Sequence, residues 1–252
     1  MTKNTTQKID RFATQLAECL GENLISLLLY GPGVRDESAG SAEPTTLLVV
    51  RDASPQALRS IQATIAAWTK RGDPPPLIFS DGEWRSSADV FPIEIEEMRE
   101  AHLLLKGANP LDGVETDSED LRRELEREVR GKLLQLRTQF AAAASDGKAL
   151  SNLLTRSIVT FFILFRAVLR LTGHTPPRRP RELVEKAAEV AGLEADAFEW
   201  VLAKISGAKP QNLKPYDPIG DRYVMQIEQL AHFVDSFEVT SIDSATDGGD
   251  NQ

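Results

Sequence analysis

The chain has a single cysteine, Cys19, in 252 residues, so no disulfide can close within it. Cys19 stands among Leu16, Ala17 and Leu20, a setting in which it is expected to pack as a small hydrophobe. Histidine is almost as scarce. His102, His174 and His232 are far apart, and no HxxxH or CxxC spacing offers to gather a metal. Positive charge is also in deficit, with 29 basic against 38 acidic residues and a net charge of −9. That balance argues against broad electrostatic binding to DNA or RNA, which needs a basic surface. No uninterrupted apolar run approaches the roughly 20 residues that a membrane span needs. The most apolar stretch, Ile158–Leu171, is broken by Arg166 and Arg170. The opening MTKNTTQKID is polar and unlike a secretory signal. These absences point to a cytoplasmic protein that does not enter membranes. There is no GxxxxGK[ST] phosphate loop and no GxSxG nucleophile turn. What the chain does have is 41% hydrophobic residues, enough at this length for a substantial core in one or two domains.

The pattern of those residues changes along the chain. Residues 8–20 read as a helix with Ile9, Phe12, Leu16 and Leu20 on one face. Leu24–Tyr30 (LISLLLY) is an apolar run of strand length, ended by Gly31–Pro32–Gly33. Thr46–Arg51 is a second short strand. Ser54 and Pro55 open a helix over about 55–71, with a stripe at Leu58, Ile61, Ile65 and Trp68. A proline-rich break leads to a strand at Leu77–Phe79. Asp89–Ile95 (DVFPIEI) reads as a further strand, and Glu96–Lys106 as a helix ended by Gly107. From Ser118 a long helix is expected to about Ala144, its apolar face running through Leu121, Leu125, Val129, Leu133, Leu136 and Phe140. Gly131 within it invites a second helix to approach closely. Further helices are expected over about 150–171, 181–191, 195–205 and 221–237. The expected organisation is α+β: an α/β domain over 1–115, a helical bundle over 117–237, and a disordered acidic tail over 238–252.

The layout strand, glycine turn, acidic loop, strand over Leu24–Val50 resembles the nucleotidyltransferase fold of the DNA polymerase β type. The whole plan is similar to bacterial nucleotidyltransferases with an appended helical domain. The resemblance implies a nucleotide cleft and two-metal chemistry, in which Mg²⁺ activates the attacking oxygen and stabilises the leaving pyrophosphate. In that family two aspartates, one residue apart, begin the second strand, because residues i and i+2 of a strand share a face. Here those positions fall on Pro44 and Thr46, and the serine after the family glycine is Pro32. Glu94 stands as the remnant of a third carboxylate from a neighbouring strand.

The residues therefore suggest a degenerate, non-catalytic nucleotidyltransferase that binds a nucleotide or a partner, with no metal ligands and no cofactor. On this reading Glu94 is the catalytic remnant. Gly31, Gly33, Thr46, Arg166 and Arg170 contact the nucleotide, and a protein partner or a second copy of the chain stays open. The alternative is an active Mg²⁺-dependent enzyme moving a nucleotidyl group to a small molecule or protein, with Asp36, Glu37 and Glu43 folding in as displaced carboxylates. Arg156, Arg166 and Arg170 lie in an apolar stretch and must reach a carboxylate, a phosphate or water. The two choices are ion pairs with the glutamates of Leu121–Arg137 or phosphate contacts in a cleft. Arg178, Arg179 and Arg181 form a small basic patch, read mainly as solvated linker.

Overall fold

The computed structural model describes residues 3–31, 34, 45–208 and 210–239. Helix α1 (Lys3–Leu20) leads through a short 3-10 turn to strand β1 (Leu24–Tyr30), and β2 follows at Thr45–Val50. Next come α2 (Pro55–Arg59), α3 (Gln62–Thr69), β3 (Leu77–Ser80), α4 (Asp81–Arg85), α5 (Pro92–Glu100) and β4 (His102–Gly107). The four strands form one mixed sheet in the order β3-β2-β1-β4. β1 is antiparallel to both β2 and β4, and β2 is parallel to β3.

Strand alternation gives the sheet two apolar faces. Leu27 and Leu29 of β1 and Leu48 and Val50 of β2 meet α1 and α3 on one side, where Phe12 stacks on Trp68 at 4.1 Å. Leu28 and Tyr30, with Leu47 and Val49, meet Trp84, Ile95 and Met98 on the other. The expected stripe of α1 is therefore the one that is buried. Cys19 departs from expectation: it lies on the exposed face of α1, one position away from the buried Leu20.

Two local readings are corrected. The expected strand at Asp89–Ile95 is a turn followed by α5, and the expected helix after it ends at Glu100 and becomes β4. Pro92 explains the first change, since proline fixes a helical φ at the first turn and lacks only an N–H that would be unpaired there. Ile93, Ile95 and Met98 are all buried because α5 is covered on two sides. Alternation in sequence was thus the mark of a doubly packed helix rather than of a strand. The helix expected over 55–71 is two short pieces, broken at Ser60–Ile61.

The C-terminal region is all helical. α6 (Ser118–Ala143) and α7 (Gly147–Leu171) form an antiparallel hairpin, followed by α8 (Pro180–Ala191), α9 (Glu199–Ile205) and α10 (Pro218–Ser236). Asp117 and Asp146 cap the two long helices by accepting backbone N–H bonds, each contributing about 1 kcal/mol. By length and composition α7 could cross a membrane, but its apolar residues fill the bundle core together with those of α6, α8 and α10. Gly131 does not admit a close helix: a methyl group there would meet nothing within 4 Å. The residues assigned to an acidic tail are described only through Val239.

Helix α5 joins the two regions. Ile93 belongs to the bundle core, whereas Ile95 and Met98 belong to the sheet core. The buried Glu97 of α5 receives Arg166 of α7 in a bidentate pair, with Nε–Oε1 at 2.8 Å and Nη2–Oε2 at 2.5 Å. Arg170 Nη1 approaches the same carboxylate at 2.8 Å, and its Nη2 pairs with Glu100.

Candidate functional site

The glycine turn lies at the end of β1. Gly31 has a φ of 96°, a left-handed conformation that favours glycine, and its carbonyl accepts from Val34 N at 3.0 Å. Gly33, Pro32, Asp36, Glu37, Glu43 and Pro44 fall outside the described residues. Past the turn, Val34 borders a cavity of about 260 Å³ that it shares with Arg99, Glu100, His102 and Arg178. Arg99, Glu100 and Arg178 also line an adjoining cavity of about 450 Å³, whose walls include Glu96, Arg170 and His174. The two share these three residues and form a cleft region between the C-terminal end of α5 and the α7–α8 connection. Arg99 pairs with Glu96 at 3.1 Å, and Arg170 with Glu97 and Glu100. Arg178 is exposed and has no ion-pair partner among the described residues.

The expected site residues separate in space. Thr46 is fully buried, pairs with Leu29 across the sheet, and so faces α1 and α3. Its hydroxyl has no hydrogen-bond partner among the described residues. Glu94 sits on α5, on the opposite side of the sheet, near Tyr30. Thr46 and Glu94 therefore do not line one cleft. Glu94 is also not a strand residue, which corrects its reading as the third carboxylate of a sheet. Arg166 and Arg170 do form ion pairs, but with α5 rather than with α6. Arg170 reaches the cleft, while Arg166 stays buried behind it.

A two-metal site can be tested against the sheet. None of the residues in β1–β4 is an aspartate or glutamate. Among the described residues no group of three or more His, Cys, Asp or Glu side chains is placed to hold a metal ion. Two Mg²⁺ carry four positive charges and want several carboxylate oxygens. The described strands supply none, so among the described residues the sheet does not fit the metal pair.

Carboxylates do gather at the junction of α5 and α6. Glu124 is buried, and one of its oxygens accepts from Ile93 N at 3.1 Å. Burial pushes its carboxyl up to about 7, against a smaller lowering by that hydrogen bond, with Glu94 adding like charge. Glu94 is raised for the same first reason, and one of its oxygens is buried without a hydrogen-bond partner among the described residues. Glu94 in turn adds to the burial that raises the phenol of Tyr30. Glu97, Glu124 and Arg178 were not singled out as site residues from sequence. The i,i+3 spacing of Glu94 and Glu97 was available, but reading the segment as strand concealed it.

The mixed sheet, the glycine turn and the helical region behind it define a nucleotidyltransferase fold. Among solved structures, the chain matches that of spectinomycin adenyltransferase AAD(9) from Enterococcus faecialis, determined with ATP and spectinomycin. The match has a TM-score of 0.52 at 14% identity, and covers 91% of this chain and 99% of that one. No protein-family model and no curated protein matches the chain by sequence.

Proposed function

We propose that this protein keeps a nucleotidyltransferase scaffold without the transfer reaction, and works as a nucleotide-binding or regulatory module. The observation that carries this reading is a sheet whose described strands hold no carboxylate where the metals would need them. The ligand site on this reading is the cleft beside the glycine turn. Arg99, Arg170 and Arg178 would meet phosphate oxygens, and Gly31 would let the backbone come close. The AAD(9) structure, with ATP and a small molecule bound on the same fold, supports a nucleotide as the ligand.

The test has two arms. Labelled ATP, GTP, CTP and UTP are offered with Mg²⁺ and small-molecule or protein acceptors, and no transfer is expected. In parallel, nucleotide binding is followed by the melting temperature, and Arg178→Gln is expected to weaken it. Robust Mg²⁺-dependent turnover, abolished by Glu94→Gln or by replacing Asp36, Glu37 or Glu43, would overturn the non-catalytic reading. Absence of any melting shift at millimolar nucleotide would overturn the binding role.

A further inference from the structure

The arginines of the helical hairpin follow a rule with one exception. On α6, Arg122, Arg123, Arg127, Arg130 and Arg137 each pair with a carboxylate. On α7, Arg166 and Arg170 pair with Glu97 and Glu100. Arg156 has no carboxylate partner among the described residues. It faces a groove of about 280 Å³ between α6 and α7, opposite Lys132, which is also without one. Gln135, Gln139, Ser157 and Thr160 complete the polar wall. The Ser157 hydroxyl is engaged, meeting Tyr223 Oη at 2.9 Å, whereas Lys132, Gln135, Gln139, Arg156 and Thr160 make no side-chain hydrogen bond or ion pair among the described residues. The floor is the buried Leu136 and Phe161.

Among the described residues no carboxylate lines this groove, although the chain carries a net charge of −9. Two cations brought from separate helices to one concavity repel each other, and an anion between them removes that cost. The surrounding amides and hydroxyl can each donate one more hydrogen bond to its oxygens. At about 280 Å³ the groove has room for roughly nine waters, given ~30 Å³ each in the liquid. It would therefore take a phosphate with a few further heavy atoms.

We propose that the groove between α6 and α7 binds a small phosphomonoester, its phosphate held between Arg156 and Lys132. The fork of the Arg156 guanidinium suits two phosphate oxygens, and Lys132 acts as a point charge. This site is separate from the cleft at the glycine turn and does not depend on what that cleft binds.

The experiment is calorimetric titration of the full chain with phenyl phosphate and with inorganic phosphate at pH 7.5, where both are mainly dianions. Sodium chloride at matched ionic strength is the control. The ester is expected to bind more tightly than inorganic phosphate. Arg156→Gln is expected to weaken it about tenfold or more, the scale of one charge-assisted hydrogen bond, and Lys132→Gln by a smaller factor. Lys148→Gln, which changes a cation of the same helix away from the groove, is expected to leave binding unchanged. Heat signals equal to those of chloride, exclusion of the ester, or undiminished binding by Arg156→Gln would each overturn the proposal. Melting curves without ligand would show that the variants fold.

Discussion

Replacing Glu97 by glutamine tests how the sheet and the bundle are held together. The substitution preserves shape and removes one charge. Glu97 is 7% exposed and Arg166 also 7%, so the pair is almost out of water. After the change Arg166 keeps its charge, loses its bidentate partner and cannot reach bulk solvent. Arg170 keeps Glu100 and loses its second carboxylate. Breaking a buried pair from one side costs about 3–5 kcal/mol. For a chain of this size that corresponds to roughly 6–20 °C in melting temperature, at about 2–4 °C per kcal/mol. Glu97→Leu combined with Arg166→Met should cost much less, because no charge is left stranded.

The assay is urea unfolding read by two signals. Far-UV circular dichroism is dominated by the bundle. In a Trp200→Phe background, fluorescence comes from Trp68 and Trp84, both in the sheet region. The two transitions should coincide in the parent and separate in Glu97→Gln, since the altered bond joins the two regions. A loss under 1 kcal/mol, or a double variant as damaged as the single one, would refute the buried-pair account.

Glu124→Gln should behave in the opposite sense. The folded carboxyl is held near 7, above its unfolded value, so folding favours the protonated form. The parent's penalty is complete above pH 7 and relieved as pH falls toward 4.5, which makes stability rise on acidification over that range. The glutamine variant should be more stable at pH 8, by at most about 3 kcal/mol at 1.36 kcal/mol per pH unit, and similar near pH 4.5. Equal melting of the two proteins at pH 8 would refute it. Gly131→Ala should stabilise the chain by about 1 kcal/mol, because the site is in a helix interior with open space around it. A lower melting temperature in that variant would show a contact the structure does not contain.

Much of the fold was legible because the elements with a single buried face announce it. β1 was read to the residue, and α6 and α10 showed their stripes without ambiguity. The failures cluster at α5 and β4. The first turn of α5 is covered on two sides, so Ile93, Glu94 and Ile95 alternate like a strand, and its polar residues Glu96, Arg99 and Glu100 come only later. β4 is an edge strand whose Leu103 and Leu104 are substantially exposed, at 48% and 39%, so burial gave it no alternation. The candidate site was harder still. Gly31 was legible because a positive φ demands a particular residue. The partners of Arg166 and Arg170 were not, because Glu97 and Glu100 lie about 70 positions away and only the packing of α5 against α7 brings them within reach.

Nine residues of α5 are clamped at both ends: Glu124 holds the backbone at its start, and Arg166 and Arg170 hold its later turns before the chain runs directly into β4. The two regions consequently cannot swing apart like jaws without tearing a charge from its partner in a dry place. The facing wall of the cleft is the α7–α8 connection, where His174 and Arg178 are exposed. The two walls of that opening thus come from separate regions of the chain, one from α5 and one from the α7–α8 connection.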